Sequence, residues 1–118
     1  KEKWEGGTAM ATERNSHGMV FLQDVGVNGT VMVAGGNGNS GRLASVELYD
    51  VANNVWTGGT AMTTARQTPG MVFLPDVGEE GTVMVGGGRD SRYLASVEFY
   101  DVANGMKAIK CRCVGNSD

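Results

Sequence analysis

The chain has 118 residues, 41% of them hydrophobic, with 19 glycines and two prolines, which excludes a disordered or collagen-like chain and suits one small domain. Net charge is −3, from 10 basic and 13 acidic side chains, so no concentrated basic face marks a nucleic-acid partner. No apolar run reaches the roughly 18 residues of a membrane helix, and the opening Lys1-Glu2-Lys3-Trp4 lacks the apolar core of a signal peptide.

The sequence begins abruptly at Lys1, and residues 1–17 are expected to hold the end strand of a preceding unit and a linker. Met19 to Leu22 and Thr30 to Val33 are short apolar runs rich in strand formers, with the hairpin signal Asn28-Gly29 between them. Gly35-Gly36 closes the second run, and a polar glycine-rich stretch to Arg42 reads as a surface loop. From Ser45 to Tyr49 the pattern alternates, with Val46 and Leu48 facing opposite to Glu47 and Tyr49. Val55-Trp56 makes a shorter fourth strand.

The same series then returns. Trp4 recurs as Trp56, and the same spacing carries Gly6-Gly7-Thr8-Ala9-Met10 onto Gly58-Gly59-Thr60-Ala61-Met62 and Arg14 onto Arg66. It also carries Gly18-Met19-Val20-Phe21-Leu22 onto Gly70-Met71-Val72-Phe73-Leu74, and Gly35-Gly36 onto Gly87-Gly88. One residue is lost in the polar loop, after which Leu43-Ala44-Ser45-Val46-Glu47 maps onto Leu94-Ala95-Ser96-Val97-Glu98 and Tyr49-Asp50 onto Tyr100-Asp101. A period of about 50 residues with four short strands per unit is the mark of a propeller blade. The tail departs from this pattern. Lys107 stands where the next Trp is due, and every marker vanishes from Gly105 to Asp118, so at most a frayed edge strand is expected there.

An apolar strand ending in Gly35-Gly36, then Tyr49-Asp50, then Trp56, resembles the kelch motif, and Arg14 and His17 occupy positions similar to that family's. The resemblance covers residues 4 to about 104. It implies an all-β fold, a partial β-propeller of two four-stranded antiparallel kelch blades. Repeat 1 then spans 18–57, repeat 2 spans 58–104, and 105–118 is a divergent tail. In such a blade Trp56 is expected to pack beneath the second blade's strands, and the six methionines Met10, Met19, Met32, Met62, Met71 and Met84 are expected to fill core gaps. Two blades leave an apolar face open at each end, so the missing blades or self-association should cover them.

Catalytic and metal chemistry finds few residues. His17 is the single histidine, and its counterpart in the second repeat is Pro69, so a role in the turn is favoured over a base or ligand. Cys111 and Cys113 lie at i and i+2, too far apart for an easy disulfide, which favours a reducing, cytoplasmic setting. With one histidine they are too few for a tetrahedral zinc site. No metal, cofactor or enzymatic activity is expected.

The informative positions are those where the repeats differ. One set precedes the first strand: Asn15 and Ser16 against Gln67 and Thr68. The other follows the double glycine: Asn37, Asn39 and Arg42 against Arg89, Asp90, Arg92 and Tyr93. In a four-stranded meander both connections fall at one end of the blade, which in kelch proteins is the usual binding rim. Arg and Tyr are enriched at binding hot spots. Three arginines favour an acidic peptide, since each guanidinium can grip a carboxylate with two parallel hydrogen bonds. These eleven residues are the candidate partner-binding site. The resemblance further implies a protein-interaction module, including the role of substrate adaptor for a cullin-type ubiquitin ligase. The competing readings are a fragment of a propeller enzyme similar to galactose oxidase and a structural scaffold repeat.

Overall fold

The computed structural model describes residues 3–104, which form an all-β structure of antiparallel strands. In chain order the strands among the described residues are β1 (Gly18–Leu22), β2 (Thr30–Ala34), β3 (Asn37–Gly38), β4 (Gly41–Arg42), β5 (Val46–Asp50), β6 (Val55–Gly58), β7 (Gly70–Leu74), β8 (Thr82–Gly86) and β9 (Val97–Asp101). The first sheet is a four-stranded meander, β1-β2-β5-β6; the second shows three strands among the described residues, β7-β8-β9. Both fit blades of a propeller fragment. The expectations for the tail and for Cys111 and Cys113 lie outside the described residues.

The repeated sequence produces a repeated register. Met32 sits opposite Val20 on β1 and Leu48 on β5. Met84 sits opposite Val72 on β7 and Phe99 on β9. Because side chains alternate across the pleat, each blade has two distinct faces. One face of blade 1 carries Val20, Leu22, Met32, Ala34, Val46 and Leu48, and it packs against Met71, Phe73, Val83, Val85 and Tyr100 of blade 2, with Met62 from the linking segment. Leu22 and Val83 are fully buried in this layer. Each such side chain contributes about 1.5–3 kcal/mol by leaving water.

Backbone hydrogen bonds stitch the same junction. Gly59 N–H donates to Val46 O at 3.0 Å, Met62 N–H to Ala44 O at 2.8 Å, Arg66 N–H to Leu43 O at 3.2 Å, and Gly36 N–H to Arg66 O at 2.8 Å. The double glycine is what permits this approach. Gly35 and Gly36 have φ of +72° and +96°, and a Cβ on Gly35 would collide with the Arg66 carbonyl of the next blade.

Trp56 corrects one expectation. The pleat puts it opposite Tyr49, on the face that turns away from blade 2. Its ring lies 4.9 Å from that of Tyr49, tilted by 48°, and its Nε1–H donates to Thr8 O at 2.7 Å. It therefore anchors the incoming N-terminal segment to blade 1 rather than packing beneath the second blade; Tyr100 occupies the inter-blade layer instead. The methionines divide as well. Met32 and Met62 are buried in that layer, whereas Met19 is 58% exposed on the opposite face.

Candidate partner-binding rim

The frame of the rim is built from buried charge. Arg14 enters just before β1 and turns its guanidinium inward. There it donates to Gly35 O (2.9 Å), Ser45 O (3.1 Å), Ser45 Oγ (2.9 Å) and Glu47 Oε2 (3.0 Å). Arg66 repeats the set in blade 2 on Gly87 O (3.0 Å), Ser96 O (2.9 Å), Ser96 Oγ (3.2 Å) and Glu98 Oε2 (2.9 Å). Both guanidinium side chains are fully buried. A charge taken out of water is tolerable only when paired and hydrogen-bonded, and these forks meet that demand through their terminal nitrogens, while the Nε–H of Arg14 and of Arg66 is buried without a partner. Each glutamate also caps the segment ahead of its arginine: Glu47 accepts from the Ala11 and Thr12 amides, and Glu98 from those of Thr63 and Thr64. Burial works against the charged form of Glu98. The Thr63 amide, the Arg66 guanidinium and the Thr64 amide outweigh it, so its carboxyl sits below the usual value.

On this frame the two variable segments of each blade are laced together. In blade 1, Asn15 and Asn37 exchange backbone hydrogen bonds of 3.0 and 2.8 Å, and Asn37 pairs in turn with Arg42 across the β3–β4 hairpin. In blade 2, Gln67 and Arg89 exchange bonds of 2.9 and 3.0 Å, and Arg89 bridges to Tyr93. The rows Asn15-Asn37-Arg42 and Gln67-Arg89-Tyr93 are thus equivalent three-rung ladders bearing different side chains. Thr68 N–H donates to Ser16 O at 2.6 Å, which ties one row to the other. Ser16 and Thr68 both have positive φ, at 55° and 50°, so the two turns share one unusual backbone shape.

The side chains differ in availability. Arg42, Arg92 and Arg89 are exposed, and Tyr93 is 88% exposed. The Arg89 guanidinium stands 5.4 Å over the Tyr93 ring. Asp90 folds back on its own turn, where its Oδ1 accepts the Arg92 amide at 2.9 Å, a bond that holds its carboxyl below the usual range. Asn39 is taken up by Glu13 Oε1 at 2.9 Å. Asn37 and Gln67 are half-buried and serve the ladders through their backbones. Asp90, Asn39, Asn37 and Gln67 therefore shape the rim, while the arginines and Tyr93 stand out from it. His17 lies behind the rim, its Cα and Cβ close against Gly36.

Two features escaped sequence reasoning. The buried Arg–Glu clamps were visible only as unexplained identities, Arg14 with Arg66 and Glu47 with Glu98. The loop after Gly36 contains a short ladder of its own, β3–β4, where the polar composition indicated plain loop.

The repeat markers and the antiparallel sheets agree with a comparison to known families: the kelch motif matches residues 14–63. The chain belongs to the kelch-repeat family. It is similar to Kelch-like protein 7 of rat and of mouse, at 36% identity over 93 residues in each case, covering 69% of this chain. The chain spans 15% of the length of those relatives. Among the described residues no helix is long and apolar enough to cross a membrane.

Proposed function

We propose that this chain is a non-enzymatic protein-interaction module. In this reading its kelch blades bind an acidic peptide of a partner through the rim, with Arg42, Arg89, Arg92 and Tyr93 as the main contributors. The observation that carries this reading is the pair of equivalent ladders. Blade 1 and blade 2 hold the same positions through paired backbone hydrogen bonds, yet fill them with different side chains, and those of blade 2 place a cation over an aromatic ring in open solvent. Rigid presentation lowers the ordering cost of binding, and Arg and Tyr are the residues that exploit it. The blades take residues 18–57 and 58–104. In a longer cytoplasmic protein, the rim would select substrates for a cullin-type ubiquitin ligase.

The test is fluorescence anisotropy with a labelled glutamate-rich peptide and its glutamine counterpart. The glutamate peptide should bind more tightly, and increasingly so at low salt. The triple variant Arg42→Glu, Arg89→Glu, Arg92→Glu should lose that binding with an unchanged Tm. Equal binding of the two peptides, or full binding by the triple variant, would overturn the reading.

A further inference from the structure

Taking the rim as the binding site proposed above, we infer that Tyr93 is a tyrosine-phosphorylation site whose modification closes the rim to acidic peptides.

The chain has three tyrosines, and the fold treats them differently. Tyr100 is buried in the layer between the blades, with 8% of its surface exposed. Tyr49 is half-buried against Trp56, and its hydroxyl donates to Asn54 Oδ1. Both lie within strands: Tyr49 is paired on each side, with Val31 and Trp56, and Tyr100 is paired with Val83. Lifting either into a kinase cleft would break a sheet. Tyr93 is 88% exposed, at the end of the loop that follows Gly87-Gly88. Few bonds hold that loop. Asp90 N–H donates to Arg92 O at 2.9 Å, and Arg92 N–H donates to Asp90 Oδ1 at 2.9 Å. A surface turn held this lightly opens far more readily than a strand, so a kinase can draw out Tyr93 and the residues before it.

In the transfer, Tyr93 Oη attacks the γ-phosphorus of ATP and the bond from that phosphorus to the bridging oxygen breaks. ADP leaves, and the phenolic proton passes to the catalytic base of the kinase. The product lands among cations. The Arg89 guanidinium already stands 5.4 Å over the Tyr93 ring, and Arg92 precedes Tyr93 in the chain. A phosphate at the free end of the ring exchanges the cation–π contact for charge-assisted hydrogen bonds to a guanidinium fork. The cations that would grip an acidic peptide are then engaged by the chain's own phosphate.

The charge balance of the rim points the same way. Three exposed guanidiniums, of Arg42, Arg89 and Arg92, face the carboxylates of Glu13 and Asp90, which leaves a single positive charge. A phosphotyrosine carries about −1.5 to −2 at neutral pH, so one transfer reverses the sign of the rim. Blade 1 has Arg42 on the rung where blade 2 has Tyr93, so the switch belongs to the row of blade 2 alone.

The experiment treats the 118-residue chain with ATP and a tyrosine-kinase domain that accepts a synthetic peptide of residues 87–98. Peptide mapping should find phosphate on Tyr93 and none on Tyr49 or Tyr100. In fluorescence anisotropy the phosphorylated chain should bind the glutamate-rich peptide at least about tenfold more weakly than the untreated chain, because like charges now meet. Phosphatase should restore the binding. Tyr93→Phe should take up no phosphate, and kinase treatment should leave its binding where it stood. An unlabelled Tyr93 in the folded chain, equal labelling of all three tyrosines, or a phosphorylated chain that binds the peptide as tightly as the untreated one would overturn the inference. An untreated chain that binds the glutamate and glutamine peptides equally is a separate failure: it overturns the rim reading, and the regulation with it, whatever the mapping shows.

Discussion

Blade 1 and blade 2 bury the same frame and display different rims. Arg14, Ser45 and Glu47 in one, and Arg66, Ser96 and Glu98 in the other, make the same hydrogen bonds within a few tenths of an ångström. Above that frame, blade 1 builds the β3–β4 hairpin, whereas blade 2 makes a shorter turn closed by Asp90 on the Arg92 amide. The frame fixes where the loops start and end, and within those limits length and chemistry are free to change. The blades also differ in what covers them. Blade 1 has a neighbour over its Met32 face and blade 2 has none among the described residues, so one sequence pattern is seen in both a closed and an open setting.

The largest effect should come from removing the clamp where blades meet. Arg66 ties the residue after β8 to the start of β9 through Gly87 O, Ser96 O and Glu98 Oε2, and its carbonyl receives the Gly36 amide of blade 1. Arg66→Ala leaves the half-buried Glu98 without its cation, and losing one partner of a fully buried pair costs about 3–5 kcal/mol, so a loss of about 2–3 kcal/mol is expected. Urea titration should show that loss. The double variant Arg66→Met, Glu98→Leu should recover a large part of it, because no uncompensated charge remains. A loss below about 1 kcal/mol for Arg66→Ala would mean that the blades do not depend on the clamp.

The open and closed settings can be separated at one glycine. Gly35 and Gly87 share a φ of +72°. Alanine in that conformation costs about 1–2 kcal/mol at either position. At Gly35 the new methyl also meets the Arg66 carbonyl across the junction, whereas at Gly87 the nearest atom is Leu94 O at 3.7 Å. At low protein concentration Gly35→Ala should therefore destabilise by roughly twice as much as Gly87→Ala, on the order of 3 kcal/mol once the displaced contact is added. Equal losses would place the cost in backbone strain alone and show that the blades yield to one another.

The sequence made the scaffold legible because the scaffold is repeated. Strand positions, the double glycines and the shared end of the variable loops all follow from two aligned copies read with period-two alternation. Trp56 was misplaced because a large aromatic suggests burial between layers, while the pleat assigns the face by parity alone: Trp56 pairs with Tyr49, on the side away from Met32 and Leu48. The clamps stayed hidden for a different reason. Arg14 and Glu47 are 33 residues apart, and two charged residues read as surface until the fold buries both. Asp90 shows the limit at the rim. Its place in a loop that differs between the repeats suggested a contact for a partner, but its carboxylate is used by the adjacent turn.

The smallest expected effect is on the pH profile, and it tests whether the blade 2 clamp is electrostatically satisfied. Burial alone would raise the Glu98 carboxyl, yet the Thr63 and Thr64 amides and Arg66 bring it below its ordinary value of 4.5. A carboxyl lowered in the folded state binds fewer protons there than in the unfolded chain, so it contributes stability above its unfolded value. That contribution fades as pH falls through about 4.5 toward the folded value. Tyr100 behaves in the opposite sense. Burial raises its phenol above 10.0, against the opposing Thr60 amide, so its contribution is complete below 10.0 and fades as pH rises through the folded value. Urea midpoints should therefore be level between these limits and fall at both ends. Glu98→Gln should flatten the acid limb and leave the alkaline limb alone, and Tyr100→Phe should do the reverse. If Glu98→Gln instead steepened the acid limb, the carboxylate would be a strained group held by its surroundings, and the clamp would stabilise the blade through geometry rather than charge.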